Sequence, residues 1–473
     1  MLTRQSYVFG RLRRGHSVSS AFATALVVTM WGATWVGERL LRTGGLRIVS
    51  LVLLSVVFVC RAPRVVVIAA AVLAGVAGGA SAWGHDVVDS AGRCDGHVTL
   101  LTDPAPAGAG IRVVVGQGNR RLAASAFGVP GRILAQRSAG DRVRVTAFCT
   151  PLDSVYARRE RIRHVVGRMS VETVSERFAE PSVVVRSANR VRTAMSQGVS
   201  RMDASLRSLF TGLVVGDDRL QSRQMVSRFR ESGLSHLCAA SGQNVAYLLA
   251  LAGPLLRRRT ARVRLLLTLA VIAWFVVLTR AEPSVLRAGF MAAAVAVNAA
   301  RRTPVNARVV LAVSAMCLLA VDPMLAWNVG FALSVGATAG LAWLSAPLGK
   351  VLGGRGVLAA TLAAQIGTLP VSLAVFGSVP VVSLVANPLA LPVAGAVMTV
   401  GLPLSLLASA FPVLVVPVSS VLSVPVLWVD TVARVCSGVS VGGVMNWFLW
   451  AVVAVWVVNG ARRHRSRRTH VAG

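Results

Sequence analysis

Ala21–Gly37 reads AFATALVVTMWGATWVG, an uncharged run preceded by Arg4, Arg11, Arg13 and Arg14. At 1.5 Å per residue such a run reaches about 26 Å as a helix, close to the apolar thickness of a bilayer. Alone it would pass for a secretory signal. Two further apolar runs follow at once, roughly Leu46–Cys60 and Arg64–Gly84, so it reads as the first of three spans. Three is an odd number of crossings. With the Arg-rich N-terminus retained in the cytoplasm, the segment that starts at His85 is expected outside.

The whole chain has the matching composition. Its 473 residues are 55% hydrophobic and only 14% charged, with a mean hydropathy of +0.66. A soluble globular protein could not cover that much apolar surface, and the same content excludes disorder. Six Cys in so long a chain exclude a small disulfide scaffold. Fifty Lys and Arg against 18 Asp and Glu give a net charge of +32, and Lys350 is the single lysine. The polar stretch His85–Arg230 holds 23 Arg and 13 acids. The remainder has 27 basic residues against Glu38, Glu231, Glu282, Asp322 and Asp430. Most of the excess therefore flanks apolar segments, where cytoplasmic retention of Arg explains it without any nucleic acid.

The organisation follows from these shifts: spans over 1–84, an external β domain over 85–154, an Arg-rich helical connector over 155–228, a multi-span domain over 229–460 and a basic cytoplasmic tail over 461–473. In the β domain, β-branched runs at His97–Thr102, Ile111–Val115 and Arg142–Phe148 are separated by Pro and Gly. Cys94 and Cys149 bracket them. Outside the cytoplasm an oxidised pair there would add on the order of 4 kcal/mol by restricting the unfolded chain. Arg158, Arg159, Arg161, Arg163 and Arg168 crowd the start of the connector and read as a solvated helix face. Beyond Phe229, basic clusters at Arg257–Arg259, Arg301–Arg308 and Lys350–Arg355 recur after every second span, as cytoplasmic loops would. About twelve spans, with both termini cytoplasmic, is the resulting topology of a polytopic α-helical inner-membrane protein.

Polar residues inside spans carry the functional information, because the bilayer penalises them unless they face protein or water. On the span after Phe229, Ser232, His236, Gln243 and Tyr247 fall within about 60° of one another, a single stripe along the helix. Arg287 and Asn298 share a face of another helix, and Thr361, Gln365, Thr368 and Ser372 make a third stripe. Two readings stay open. Ser, Thr, Asn and Gln commonly bond helix to helix in membranes, whereas Arg287 and His236 call for a partner or for water. Asn387-Pro388 followed by Pro392 is expected to break a helix at membrane depth, and Gly336 with Gly340 forms a GxxxG packing motif.

Catalytic chemistries find little support. On a continuous helix, Ser241 and His236 point about 140° apart and cannot form a nucleophile and base pair. No HExxH or clustered Cys and His spacing suggests a metal, and Gly349-Lys350-Val351 does not complete a GxxxxGKS or GxxxxGKT loop. No enzymatic activity, cofactor or metal is expected.

The segment Gly233-Leu234-Ser235-His236-Leu237-Cys238-Ala239-Ala240-Ser241-Gly242-Gln243-Asn244-Val245 resembles the hallmark of the ComEC competence proteins. Four further blocks agree in order and spacing. They are Ser284-Val285-Leu286-Arg287-Ala288 with Met291, then Asp322-Pro323, then Gly330-Phe331-Ala332-Leu333-Ser334, and last Gln365-Ile366-Gly367-Thr368-Leu369-Pro370 with Phe376-Gly377 and Asn387-Pro388-Leu389-Ala390-Leu391-Pro392. The resemblance covers nearly the whole chain and implies an external OB-like domain followed by a multi-span competence domain.

What it implies functionally is a channel that passes single-stranded DNA across the cytoplasmic membrane during natural transformation. Pore lining is carried over by resemblance onto Ser235, His236, Ser241, Gln243, Asn244, Arg287, Gln365 and Asn387. A basic external domain and wet polar stripes would suit a polyanion. The hallmark departs from the family where Gln243 and Asn244 replace a Gly and a His. Many members continue into a metallo-β-lactamase-like domain with an HxHxDH motif; no two of the seven His here have HxH spacing. The resemblance thus implies a separate nuclease, a separate receptor for duplex DNA and a cytoplasmic helicase-like ATPase as partners, besides membrane lipid. The alternatives are a transporter of the same fold for another polar substrate, or a non-conducting remnant.

Overall fold

The structure, a computed structural model, describes residues 19–43, 63–83, 88, 90–238 and 241–471. Two helices come first, α1 (Ser20–Thr43) and α2 (Pro63–Trp83). They run parallel: Gly75 packs on the backbone of Met30 and on Ala33, and Gly79 packs one turn further along against Thr34. A side chain at either glycine would hold the helices apart, which is the ordinary use of small residues between membrane helices. The expected second span, Leu46–Cys60, lies outside the described residues.

A β domain follows, with β1 (Gly92–Arg93), β2 (Gly96–Leu100), β3 (Ala105–Ala107), β4 (Gly110–Gln117), β5 (Arg120–Phe127), α3 (Gly128–Ala135), β6 (Arg142–Thr150), α4 (Ser154–Arg161) and β7 (Val165–Ala179). Strand β2 pairs with β4 and β6, β4 with β5, β5 in parallel with β7, and β7 with β6. Those five strands close into a barrel, so none of them presents a free edge. Order and the single parallel pair are those of an OB-like barrel. Alternation fills it: Leu100, Val113, Val115, Leu122, Val143, Val145 and Met169 point inward. Cys94 and Cys149 are joined by a disulfide, with 5.8 Å between Cα atoms.

Two features differ from the sequence reading. The barrel extends beyond residue 154, because Val165–Ala179 is its longest strand and not part of a helical connector. Val165, Gly167, Met169 and Val171 face in while Arg168, Ser170 and Glu172 face out, a period of two that the neighbouring Arg-rich α4 obscures. The Arg face of α4 is also not simply solvated. Arg158 makes a bidentate pair with Glu38 of α1, at 2.8 and 2.9 Å, and Arg161 donates to the Trp83 carbonyl.

The helical remainder comprises α5 (Val183–Gly198), α6 (Ala204–Val215), α7 (Arg223–Glu231), α8 (Ser235–Cys238), α9 (Gly242–Arg257), α10 (Ala261–Leu278), α11 (Pro283–Ala300) and α12 (Ala307–Val321). After a 3-10 turn at Pro323–Trp327 come α13 (Val329–Val351), α14 (Gly356–Phe376), α15 (Ser383–Ala410), a second turn at Pro412–Leu414, α16 (Val415–Gly438) and α17 (Gly443–Val471). Among the described residues seven helices are long and apolar enough to cross a membrane, and four shorter apolar helices accompany them. Helix starts are capped locally: Asp203 accepts from Ser205 N–H, Ser222 from Met225 N–H and Asn328 from Phe331 N–H.

Asn387-Pro388 and Pro392 do not break their helix. Helix α15 continues through them and through Pro403. Each proline removes one backbone donor, which a membrane helix tolerates where neighbouring helices pack against it; α16 lies along this stretch and its Trp428 Nε1 donates to the Leu389 carbonyl. Gly336 and Gly340 do serve close packing. Added Cβ atoms there would collide with the carbonyls of Gly367 and Ala363 on α14.

The barrel is fastened to the helices by charge. Asp103 accepts from Arg280 at 2.7 and 3.0 Å, and Arg280 also donates to Asn189. Arg192 bridges Asp217 at 2.7 Å and Asp103 at 3.3 Å, while Arg219 holds Asp217 with two bonds and donates to the Pro104 carbonyl. Arg280 and Ala281 take left-handed backbone, φ 58° and 54°, in the turn between α10 and α11. Such backbone is unfavourable for residues with a Cβ, and the Asp103 and Asn189 contacts hold it in place. A second tie joins His164 Nε2 to Asp322 at 3.0 Å. Because the α10–α11 and α12–α13 turns both lie against the barrel, Arg257–Arg259, Arg301 and Lys350 fall at the opposite helix ends.

Candidate functional site

The hallmark segment is not one helix. Helix α7 stops at Gly233, whose φ of 74° favours glycine and whose hydrogen atom faces Ser383, where a side chain would collide. Four helical residues follow as α8, and α9 starts only after Ser241, which is extended at φ −106° and ψ 161°. The predicted stripe of Ser232, His236, Gln243 and Tyr247 therefore does not exist, and Ser232 is buried. The geometric ground for separating Ser241 from His236 goes with it. Instead, Ser241 Oγ donates to Asn244 Oδ1 at 2.8 Å.

Three of the four further sequence blocks converge on this broken segment. Gly233 abuts Ser383 at the start of α15, and Ser383 Oγ accepts a short hydrogen bond from Gln365 Nε2 on α14. Two residues along α14, Gly367 packs on Gly336 and Gly340 of α13. On α13, two residues before Gly336, Ser334 Oγ accepts from Arg287 Nε at 2.8 Å. Arg287 then reaches back to the hallmark: a Cβ on Gly242 would lie 2.8 Å from its Nη2. The belt thus runs from Gly233 through Ser383, Gln365, Ser334 and Arg287 to Gly242. Asn387, one turn after Ser383, shares its helix face. Asp322 lies outside the belt, against the barrel.

The expected lining residues divide into three kinds. Ser235, His236 and Gln243 are exposed, Ser241 and Gln365 half-buried, and Asn244, Arg287 and Asn387 buried. Asn244 is a strut, since its Nδ2 donates to the Leu213 and Val214 carbonyls and its Oδ1 accepts from Ser241. Arg287 is 7% exposed and, among the described residues, has no carboxylate partner; its contacts are Ser334 and, at 3.1 Å, Met291 Sδ. Asn387 Oδ1 and Gln365 Oε1 are buried acceptors with no hydrogen-bond partner among the described residues. Leaving such a group unmet costs about 1–3 kcal/mol, so the belt calls for further donors. Beside it, a void of about 20 Å³ between Asn244, Tyr247, Phe275 and Met398 has room for about one water and none for a nucleotide.

Three of the remaining polar stripe residues bond locally. Thr361 and Thr368 donate to carbonyls one turn back, and Asn298 donates to Ala294 and accepts from Thr303 near the end of α11. Sequence reasoning did not single out Ser383 or the close approach of Arg287 to Gly242. Both are tertiary contacts with no local signature.

Fold and belt together define a mostly helical protein with seven candidate membrane spans among the described residues, an attached β-barrel and a set of sequence motifs that the helices bring into contact. The competence protein family matches residues 213–462, more than half of the chain, and the chain belongs to this family, the ComEC proteins. It is similar to ComE operon protein 3 of Bacillus subtilis (strain 168), with 32% identity over 181 residues, 37% of this chain and 23% of that protein. The aligned segment spans about a quarter of that relative's length. No solved structure matches the chain.

Proposed function

We propose that the protein conducts single-stranded DNA through the cytoplasmic membrane in competence, with the barrel outside and both termini in the cytoplasm. The observation that carries this reading is the belt, in which four separate sequence blocks bring together a buried Arg and two buried acceptors that, among the described residues, have no acid partner and no donor respectively. A strand offers phosphates to the first and base donors to the others. Exposed Arg142, Arg144 and Arg168 on the barrel would track the backbone outside. In this reading conduction includes a widening step beside Asn244, where the void has room for about one water.

In this reading the chain itself performs no hydrolysis and needs no cofactor. Duplex capture, degradation of the second strand and the driving force fall to a receptor, a nuclease and a cytoplasmic helicase-like ATPase. The test is reconstitution of the full chain in liposomes with a labelled oligo-dT outside and an interior-positive potential. A label protected from added nuclease, absent from protein-free liposomes, is the expected result. No protected label, with inserted and folded protein, would reject conduction and favour binding of another substrate or a remnant.

A further inference from the structure

We infer that the start of α9 and the guanidinium of Arg287 form one phosphate-holding step inside the helical domain, an inference that rests on the conduction reading and names its internal contact. The first turn of a helix carries partial positive charge and unpaired N–H groups, and ordinarily an acceptor side chain covers them. Here Ser241, at the capping position, makes no such bond, because its hydroxyl is turned to Asn244 Oδ1. A second positive group is aimed at the same place. Arg287 is nine-tenths buried, its Nη2 points at Gly242, and no carboxylate among the described residues balances it.

Two convergent positive groups without an acid repel one another unless an anion joins them. Gly242 makes the approach possible: a Cβ there would stand 2.8 Å from Nη2 and 3.0 Å from Ala288 Cβ. Its backbone is not left-handed, so the glycine serves space and not a turn.

The chemistry selects an oxyanion, and a guanidinium favours phosphate. The hold is also partial. Nε and Nη1 are engaged by Ser334 and Met291, which leaves Nη2 as the free donor face. A single-sided contact suits a passing phosphodiester, since conduction needs a site that binds and also releases.

Two variants separate space from charge. Gly242→Ala keeps every charge and a helix-compatible residue but displaces the guanidinium, and Arg287→Gln removes the charge. The full chain in nanodiscs is titrated with inorganic phosphate, and affinity is read from the shift in thermal unfolding. At least tenfold weaker binding is expected for both variants, and equal affinity in wild type and both variants would overturn the site. Import of labelled oligo-dT into liposomes then identifies the source of the phosphate. Import reduced at least tenfold by Gly242→Ala assigns the site to the strand. Weaker phosphate binding with unchanged import would make it a free-anion site and overturn the strand assignment. A wild type that binds phosphate at this site yet imports nothing contradicts the strand assignment together with conduction, while leaving the anion site itself standing.

Discussion

Arg280 and Arg287 lie seven residues apart on one helical hairpin, yet their surroundings differ in kind. Arg280 meets both oxygens of Asp103 and the amide of Asn189. Arg287 meets a hydroxyl and a thioether. The same contrast recurs across the molecule: Arg158 has Glu38, Arg192 and Arg219 have Asp217, and Arg228 and Arg434 share the buried Asp430. Paired arginines hold elements together, and an arginine whose charge is left over is available for a ligand. In a chain with so large a basic excess, local neutralisation tells more about role than the total does.

The contrast can be broken from the paired side first. Asp103→Ala leaves Arg280 and Arg192 without their common acid, and is expected to lower stability by about 3–5 kcal/mol through release of the barrel from the helices. Limited proteolysis in the turn between α10 and α11 would report it; unchanged resistance would demote the cluster to decoration. Gly340→Leu attacks packing instead of charge and should cost about 3 kcal/mol by forcing α13 from α14, measured by thermal unfolding in detergent.

Acid titration sharpens the same comparison with a smaller effect. Burial raises the Asp103 carboxyl, but the hydrogen bonds and charges of Arg280, Arg192 and Arg219 outweigh it and hold the group at about 2. The group is therefore lower in the folded protein than unfolded. Its contribution of about 2 kcal/mol is complete above roughly pH 4 and lost as pH falls toward 2. Unfolding of the docked barrel followed between pH 5 and 2 should show this loss, and Asp103→Asn should remove that part of the slope. The least effect belongs to an exposed arginine: Arg144→Gln should lower the salt dependence of oligonucleotide binding by about 0.7 in log–log slope with the fold intact.

Much of the fold was legible because burial writes a period into the sequence. The uncharged runs located α1 and α2, and β-branched runs located β2, β4 and β6. Strand β5 escaped because its inward positions are Leu122, Ala124 and Ala126, small residues with weak strand preference. Strand β7 escaped because its alternation sits directly after an Arg-rich helix. The broken hallmark was hidden by apolar continuity, although Gly233 and Ser241-Gly242 stood at the breaks. The prolines of α15 misled in the opposite direction, since a packed membrane helix can absorb what a soluble one would not. Of the site, Arg287 was visible as an anomalous charge in a span, while its partners Ser334 and Gly242 come from other helices, and only packing brings them together.

Labelling of introduced thiols most directly decides whether the exposed hallmark side chains face a strand's route. With Cys60, Cys238, Cys317 and Cys436 replaced by Ala, His236→Cys and Gln243→Cys are treated with a charged, membrane-impermeant thiol reagent, with and without oligo-dT. The account predicts labelling at both positions and protection by the oligonucleotide. Modification only by a lipid-soluble reagent, unaffected by the strand, would contradict it.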